Sequence, residues 1–172
     1  MPSISDPERR PFENAWLERG AAGVEAVLPE LQDQADRLPP DPRARAKWLI
    51  DVTSATFDGI EMMVQGEIDG MPVRQKVSNP GTRFTTTAQL RVVLWEVLQN
   101  CLQDQSDAAT RVRRIDGRKY ALLFVPLISH HSSVGFGATC LAVVCPPQKS
   151  QLAKMLAQFE SLVRACFNDW DE

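Results

Sequence analysis

The chain has 172 residues, of which 44% are hydrophobic and 24% are charged, and its formal net charge is −3. This length and composition are typical of one globular domain with a sizeable core. The charge is too close to zero to favour nucleic acids or membranes by bulk electrostatics. No apolar run reaches the roughly 18 residues that span a bilayer, and the start lacks the apolar segment of a secretory signal. We therefore expect a cytoplasmic protein with neither a nucleic-acid partner nor membrane contact.

The N-terminal part is predicted to be a flexible tail followed by a helical segment. Residues 1–11 contain three prolines and several charges, which is typical of a loose tail. Apolar residues then recur at spacings of three and four across residues 12–40, which indicates a helix. Gly20, Gly23 and Pro29 weaken this helix and are the points at which it is expected to break in two.

The sequence "LPPD" marks the start of the main domain, which we assign to residues 41–172. Asp41 is predicted to cap a second helix with Pro42 at its first position, because proline fits the first turn of a helix. Apolar spacing predicts that this helix ends near Phe57.

Strands are predicted where the apolar spacing changes from about 3.6 to 2. Two hairpins are expected to turn at the pairs Asp69-Gly70 and Asp116-Gly117, since a two-residue turn needs positive φ at both positions. A helix that ends near Cys101 separates the hairpins.

The last strands are predicted at residues 120–128 and 134–145, and a long helix at residues 152–167 closes the chain. The expected fold is α+β, with a five-stranded antiparallel sheet flanked by helices on both faces.

This order of elements, together with the segment "LLFVPLISHHSSVGFGATCLAVV", resembles GAF-like domains. In that family an apolar strand ends in a V-P-L step, here residues 125–127, and the return strand begins with V-G, here residues 134–135. The resemblance spans about residues 42–168. The segments "VRQKVSN" and "LRVVLWEVLQNCLQDQ" further resemble degenerate GAF domains ahead of membrane-fusion adaptor segments in some bacterial efflux proteins. The implied fold is GAF/PAS-like, and the implied role is a non-enzymatic sensory or regulatory module in signalling.

The resemblance also implies a ligand pocket on one face of the sheet, for which the candidate lining residues are Arg83, Phe84, Trp95, Gln99 and Asn100. The alternative is that Trp95 packs in the core while the amides face water. The family's cyclic-nucleotide signature is not matched and no cysteine stands out as a bilin attachment site, so ligand and cofactor stay undefined.

GAF-like domains often pair through their terminal helices, which implies a homodimer. The alternative is that the N-terminal segment covers the C-terminal helix within one chain. A module that binds only protein partners, without a ligand, is the competing functional prediction.

Two clusters were weighed for chemistry. His130 and His131 are the only histidines, and without a third ligand at a fixed spacing we interpret them as the exposed tip of a hairpin and not as a metal site. The basic sequence "RVRRIDGRK", residues 111–119, is interpreted as a solvated turn and edge strand, with anion binding as the alternative.

The four cysteines form no C-x-x-C pair and are predicted to be reduced thiols used for packing. Nucleophile-elbow and phosphate-loop motifs are absent from the sequence, so we expect no enzyme activity. A small enzyme, such as a reductase that uses a cysteine, is the remaining alternative.

Overall fold

A computed structural model describes most of the chain. It covers residues 12–68, 71–78, 88–104, 106–127 and 135–167. The predicted tail, the Asp69-Gly70 turn and the pair His130-His131 lie outside the described residues.

Helices and strands follow one another in the order that the sequence predicts. They are α1 (Ala15–Asp36), α2 (Pro42–Phe57), β1 (Glu61–Ile68), β2 (Met71–Ser78), α3 (Ala88–Gln103), β3 (Ala109–Ile115), β4 (Arg118–Leu127), β5 (Gly135–Val144) and α4 (Lys149–Phe167). Within the described residues, no helix combines the length and the apolar character needed to cross a bilayer.

The sheet is antiparallel throughout, with strands in the order β2-β1-β5-β4-β3. The α+β class is confirmed. The sheet contains five strands, and β2 is described through its backbone pairing with β1.

The second hairpin turns where the sequence predicts. Asp116 has φ 51° and Gly117 has φ 79°, which are the two positive values that a two-residue hairpin turn requires. This turn sets the register of β3 against β4, with Ile115 opposite Arg118.

Two hydrophobic clusters pack against opposite faces of the sheet. On what we call the three-helix face, α1, α2 and α4 cover the sheet, and the fully buried residues include Leu31, Leu49, Leu123, Leu141 and Phe159. On the α3 face, a single helix packs through Leu90, Leu94 and Leu98 onto Leu122 and Phe124. Strand alternation divides the buried residues of β1, β4 and β5 between these clusters, as in a sheet that is buried on both sides.

The helix ends follow local chemistry. The backbone of α1 leaves helical geometry at Gly20, with φ 66° and ψ −151°, whereas Pro29 lies inside the helix. The break therefore lies at the glycine, because only glycine adopts such angles without strain. Asp41 caps α2 as predicted: its Oδ1 accepts a hydrogen bond from Arg43 N at 3.3 Å.

Candidate functional site

Three of the five predicted pocket residues lie on α3, and Arg83 and Phe84 lie outside the described residues. Trp95 is half-buried and packs against the core of the α3 face. Gln99, one helical turn later on the same side, is also half-buried. Asn100 is exposed. The structure thus places Trp95 and Gln99 together and directs Asn100 away from them.

The α3 face contains polar groups besides its apolar core. Glu61 is 1% exposed, and its Oε1 accepts a hydrogen bond from Arg91 Nε at 3.0 Å, which links β1 to α3. The amide atoms Gln65 Oε1 and Gln99 Nε2 are buried, and neither has a hydrogen-bond partner among the described residues. These two atoms are the candidate polar groups of the ligand pocket on this face, which stays a prediction.

A second candidate site is a groove of about 430 Å³ between α1 and α4. Half of its lining residues are alanines, whose short side chains leave room between the two helices. The lining residues are Ala21, Ala22, Glu25, Lys154, Ala157 and Gln158. The groove begins directly after the Gly20 break, so the change in chain direction and the alanines together form the concavity.

Gln158 is the polar residue at the base of this groove and is 6% exposed. Its Nε2 donates to Ala21 O at 2.9 Å and to Glu25 Oε2 at 2.9 Å, so one amide joins α4 to two positions on α1. Its Oε1 is buried and accepts no hydrogen bond from the described residues. A buried acceptor without a donor costs about 1–3 kcal/mol.

Arg45 is a second buried polar residue on the three-helix face, 6% exposed. Its guanidinium donates to Pro39 O at 2.9 Å, to Leu38 O at 3.2 Å and to Cys166 O at 2.7 Å. The planar fork of arginine suits several acceptors at once. Arg45 therefore joins the segment between α1 and α2 to the last turn of α4.

The sequence pattern around both residues indicates that they are buried. Gln158 lies inside the apolar stripe of α4, between Met155 and Phe159 and Leu162 at helical spacings. Arg45 precedes Leu49 by four residues in the same way. A polar residue within an apolar stripe is either paired in the core or part of a site, because an unpaired buried polar group is costly.

Two of the buried thiols, Cys140 and Cys166, have raised pKa values. Burial raises the pKa of Cys140 far above its ordinary value, and the nearby Cys101 raises that pKa further. Burial also raises the pKa of Cys166 to about 12, against a smaller lowering by Arg45. These two thiols stay protonated at neutral pH, and a thiol is a weak nucleophile in that state. The described cysteines are all free, as predicted.

The described part of the chain contains no group of three or more histidine, cysteine, aspartate or glutamate residues able to hold a metal ion. What the groove offers is hydrogen bonding: an acceptor amide oxygen, a carboxylate and an ammonium group beside alanine walls. Such a set binds and orients a small polar molecule.

Comparison with known proteins gives no family assignment. No family model matches the sequence. No curated protein matches it either.

Proposed function

We propose that this chain is a non-enzymatic sensory or regulatory module of the GAF-like type, in which binding of a small ligand or a partner is coupled to the packing of its terminal helices. The main support is the groove between α1 and α4 with the buried, unsatisfied Oε1 of Gln158 at its base. The proposed setting is a bacterial cytoplasm. The ligand pocket on the α3 face, lined by Trp95 and Gln99, stays a prediction.

Gln158 would couple ligand binding to helix packing, because its side-chain amide contacts both the ligand and α1. The same amide that would accept a hydrogen bond from a ligand donates to Ala21 O and to Glu25. A ligand donor polarises this amide and strengthens its bonds to α1. Since Gly20 separates the first turn of α1 from the rest, occupancy of the groove would change how the two parts of α1 lie on α4.

The chemistry of the groove selects the ligand class. The amide oxygen of Gln158 and the Glu25 carboxylate are acceptors and the Lys154 ammonium is a donor, so the ligand carries N–H donors beside an acceptor, as an amide does. The volume of about 430 Å³ is in the range of small-molecule sites.

The experiment is a thermal-shift screen of the full chain with amine and amide fragments. Compounds that bind in the groove should raise the melting temperature of the wild type and of Ala153→Phe, an exposed control on α4. They should lose that effect in Ala157→Phe, which fills the groove, and in Gln158→Met. Stabilisation that survives both groove substitutions would overturn the proposed site, as would a screen without any stabilising compound.

The homodimer has weaker support. Met155 and Leu162 on α4 are 1% and 0% exposed, because they pack in one core with α1 of the same chain. Among the described residues of the two terminal helices, the large apolar side chain that is exposed lies at the start of α1, where Leu17 is 44% exposed beside the half-buried Trp16. We propose a dimer through this surface as the second function. Light scattering of the wild type and Leu17→Arg tests it, and a monomeric mass for the wild type would remove the dimer.

A further inference from the structure

Among the described residues, no strand pairs with the outer edge of β3, which we call the open edge, and this edge is strongly basic. β3 is the last strand in the sheet order and pairs with β4 on one side. The hairpin at residues 111–119 carries five basic residues and one acidic residue. Arg113, Arg114, Arg118 and Lys119 are exposed. A single edge of the molecule therefore concentrates positive charge, although the whole chain is slightly negative.

The register shows which backbone groups point outward. Lys119 lies opposite Arg114, but its carbonyl accepts from Cys145 N at 3.0 Å on the far side of β4. The Arg114–Lys119 pair is thus not hydrogen-bonded between β3 and β4. Because bonded and non-bonded pairs alternate in an antiparallel ladder, the N–H and C=O groups of Thr110, Val112 and Arg114 point to the open edge.

Two arginine side chains donate hydrogen bonds to carbonyls that point to the open edge. Arg111 Nη1 donates to Thr110 O at 3.1 Å, and Arg113 Nη1 donates to Val112 O at 3.0 Å. The edge therefore presents free N–H donors together with guanidinium groups. These contacts discourage pairing with a second copy of this chain, whose edge carries the same charge.

Strand alternation distributes the side chains. Arg111 and Arg113 lie opposite Leu122 and Tyr120 and share the α3 face, whereas Val112 lies on the three-helix face. Val112 is 40% exposed, one of three large hydrophobic side chains that are exposed within the described residues. A strand laid along this edge would meet Arg111 and Arg113 on one face and Val112, followed by Arg114, on the other.

We propose that the open edge of β3 binds an extended segment of a partner protein in which acidic residues alternate with β-branched apolar residues. The carboxylates take the guanidinium groups of Arg111 and Arg113, which releases the carbonyls of Thr110 and Val112. The partner's backbone then bonds to the freed carbonyls and to the outward N–H groups as an added strand. This surface is separate from the α1–α4 groove.

A labelled synthetic peptide of alternating glutamate and valine is the probe, measured by fluorescence anisotropy against the full chain. Its controls are a lysine–valine peptide and an acidic peptide of equal charge with proline at alternate positions, which cannot pair as a strand. We expect binding of the glutamate–valine peptide alone, weakened by salt. Equal binding of the proline-containing peptide would overturn the proposal, because bulk charge would then suffice.

Variants of the edge sharpen the test. Val112→Pro removes an outward N–H but no bond to β4, and Val112→Thr keeps that N–H. We expect about tenfold weaker binding for Val112→Pro, near wild-type binding for Val112→Thr, and loss of binding for Arg111→Glu/Arg113→Glu. Circular dichroism checks that each variant folds. If Val112→Pro does not fold, the peptide controls test the proposal on the wild type. A wild-type chain that binds RNA or anionic vesicles but not the peptide would overturn the proposal.

Discussion

The two faces of the sheet are held by different means. On the three-helix face, segments distant in sequence are joined by side-chain hydrogen bonds, such as the buried bond from Arg45 to Cys166 O at 2.7 Å and the partly buried bond from Gln32 Nε2 to Ser161 Oγ at 2.7 Å. On the α3 face, one helix packs mainly through aliphatic side chains, with the Glu61–Arg91 pair linking it to the sheet. The first face thus contains specific links between segments that are distant in sequence.

Removal of a large core side chain should cause the largest loss, and it should be larger on the three-helix face. Phe159 is fully buried and contacts Phe57 edge-on, with ring centroids 6.4 Å apart. We expect Phe159→Ala to lower the free energy of unfolding by about 3–5 kcal/mol, and Leu98→Ala on the α3 face by about 2–5 kcal/mol. Urea denaturation measures both. Val92→Ala, at a position 55% exposed, is the control and should stay within about 0.5 kcal/mol.

A loss below about 1 kcal/mol for Phe159→Ala would contradict the packing of α4 onto α2 described above.

The next largest loss is expected at Arg45, which joins the segment between α1 and α2 to the last turn of α4. Arg45→Ala leaves three backbone carbonyls without their donor, and hydrogen bonds to a charged group contribute about 1.5–3 kcal/mol each. We expect a loss of at least that size for one bond, with partial recovery in Arg45→Lys, which keeps the charge but not the planar fork. Denaturant titration gives the values. Arg43→Ala, an exposed neighbour on α2, serves as the control, and an equal loss in that variant would remove the role of Arg45.

The sequence was sufficient for much of the fold, because local rules determine it. The Asp41 cap and the Asp116-Gly117 turn each follow from the conformations that a few residues allow, and both are confirmed. The break in α1 shows the limit: Gly20, Gly23 and Pro29 were all candidates, and only Gly20 departs from helical angles. Which of these residues breaks the helix depends on the packing of the rest of α1, which residue type does not reveal.

The candidate site was harder to predict. Gln158 and Arg45 act through carbonyls far away in the sequence, such as Ala21 O and Cys166 O. Helical spacing indicates only that each faces the core. Leu31 and its neighbours fill the space over α4 within one chain, which agrees with the alternative that the N-terminal segment covers the C-terminal helix. The homodimer stays a prediction.

Alkaline pH should act on both faces, since each has a buried thiol. Burial raises the pKa of Cys140 and Cys166 in the folded chain, whereas the unfolded thiols ionise near the ordinary value of 9.0. Above that pH the unfolded state releases protons that the folded state retains, so stability falls. The expected slope is about 1.4 kcal/mol per pH unit for each thiol, between pH 9 and the folded pKa, which for Cys166 is about 12.

Urea titrations at a series of pH values from about 8 upward measure this slope. Cys140→Ala/Cys166→Ala should be less stable at the lowest pH, because it creates cavities, but should lose less stability as the pH rises. Parallel pH profiles for this variant and the wild type would show that the thiols do not cause the fall.

The smallest effect is expected for the Asp41 cap of α2, which is a local contact exposed to solvent. Asp41 caps α2 through a single hydrogen bond of 3.3 Å from Arg43 N, at the rim and not in the core. Asp41→Ala should therefore cost about 1 kcal/mol, the typical contribution of such a cap. Asp41→Asn retains an acceptor oxygen and should recover most of this loss, although it lacks the charge that favours a helix N-terminus. Both values come from thermal and urea unfolding of matched samples. If Asp41→Ala instead destabilised the protein as much as Arg45→Ala, the cap would be the main contact that holds the start of α2. The buried guanidinium of Arg45 would then not be the main link between this region and α4.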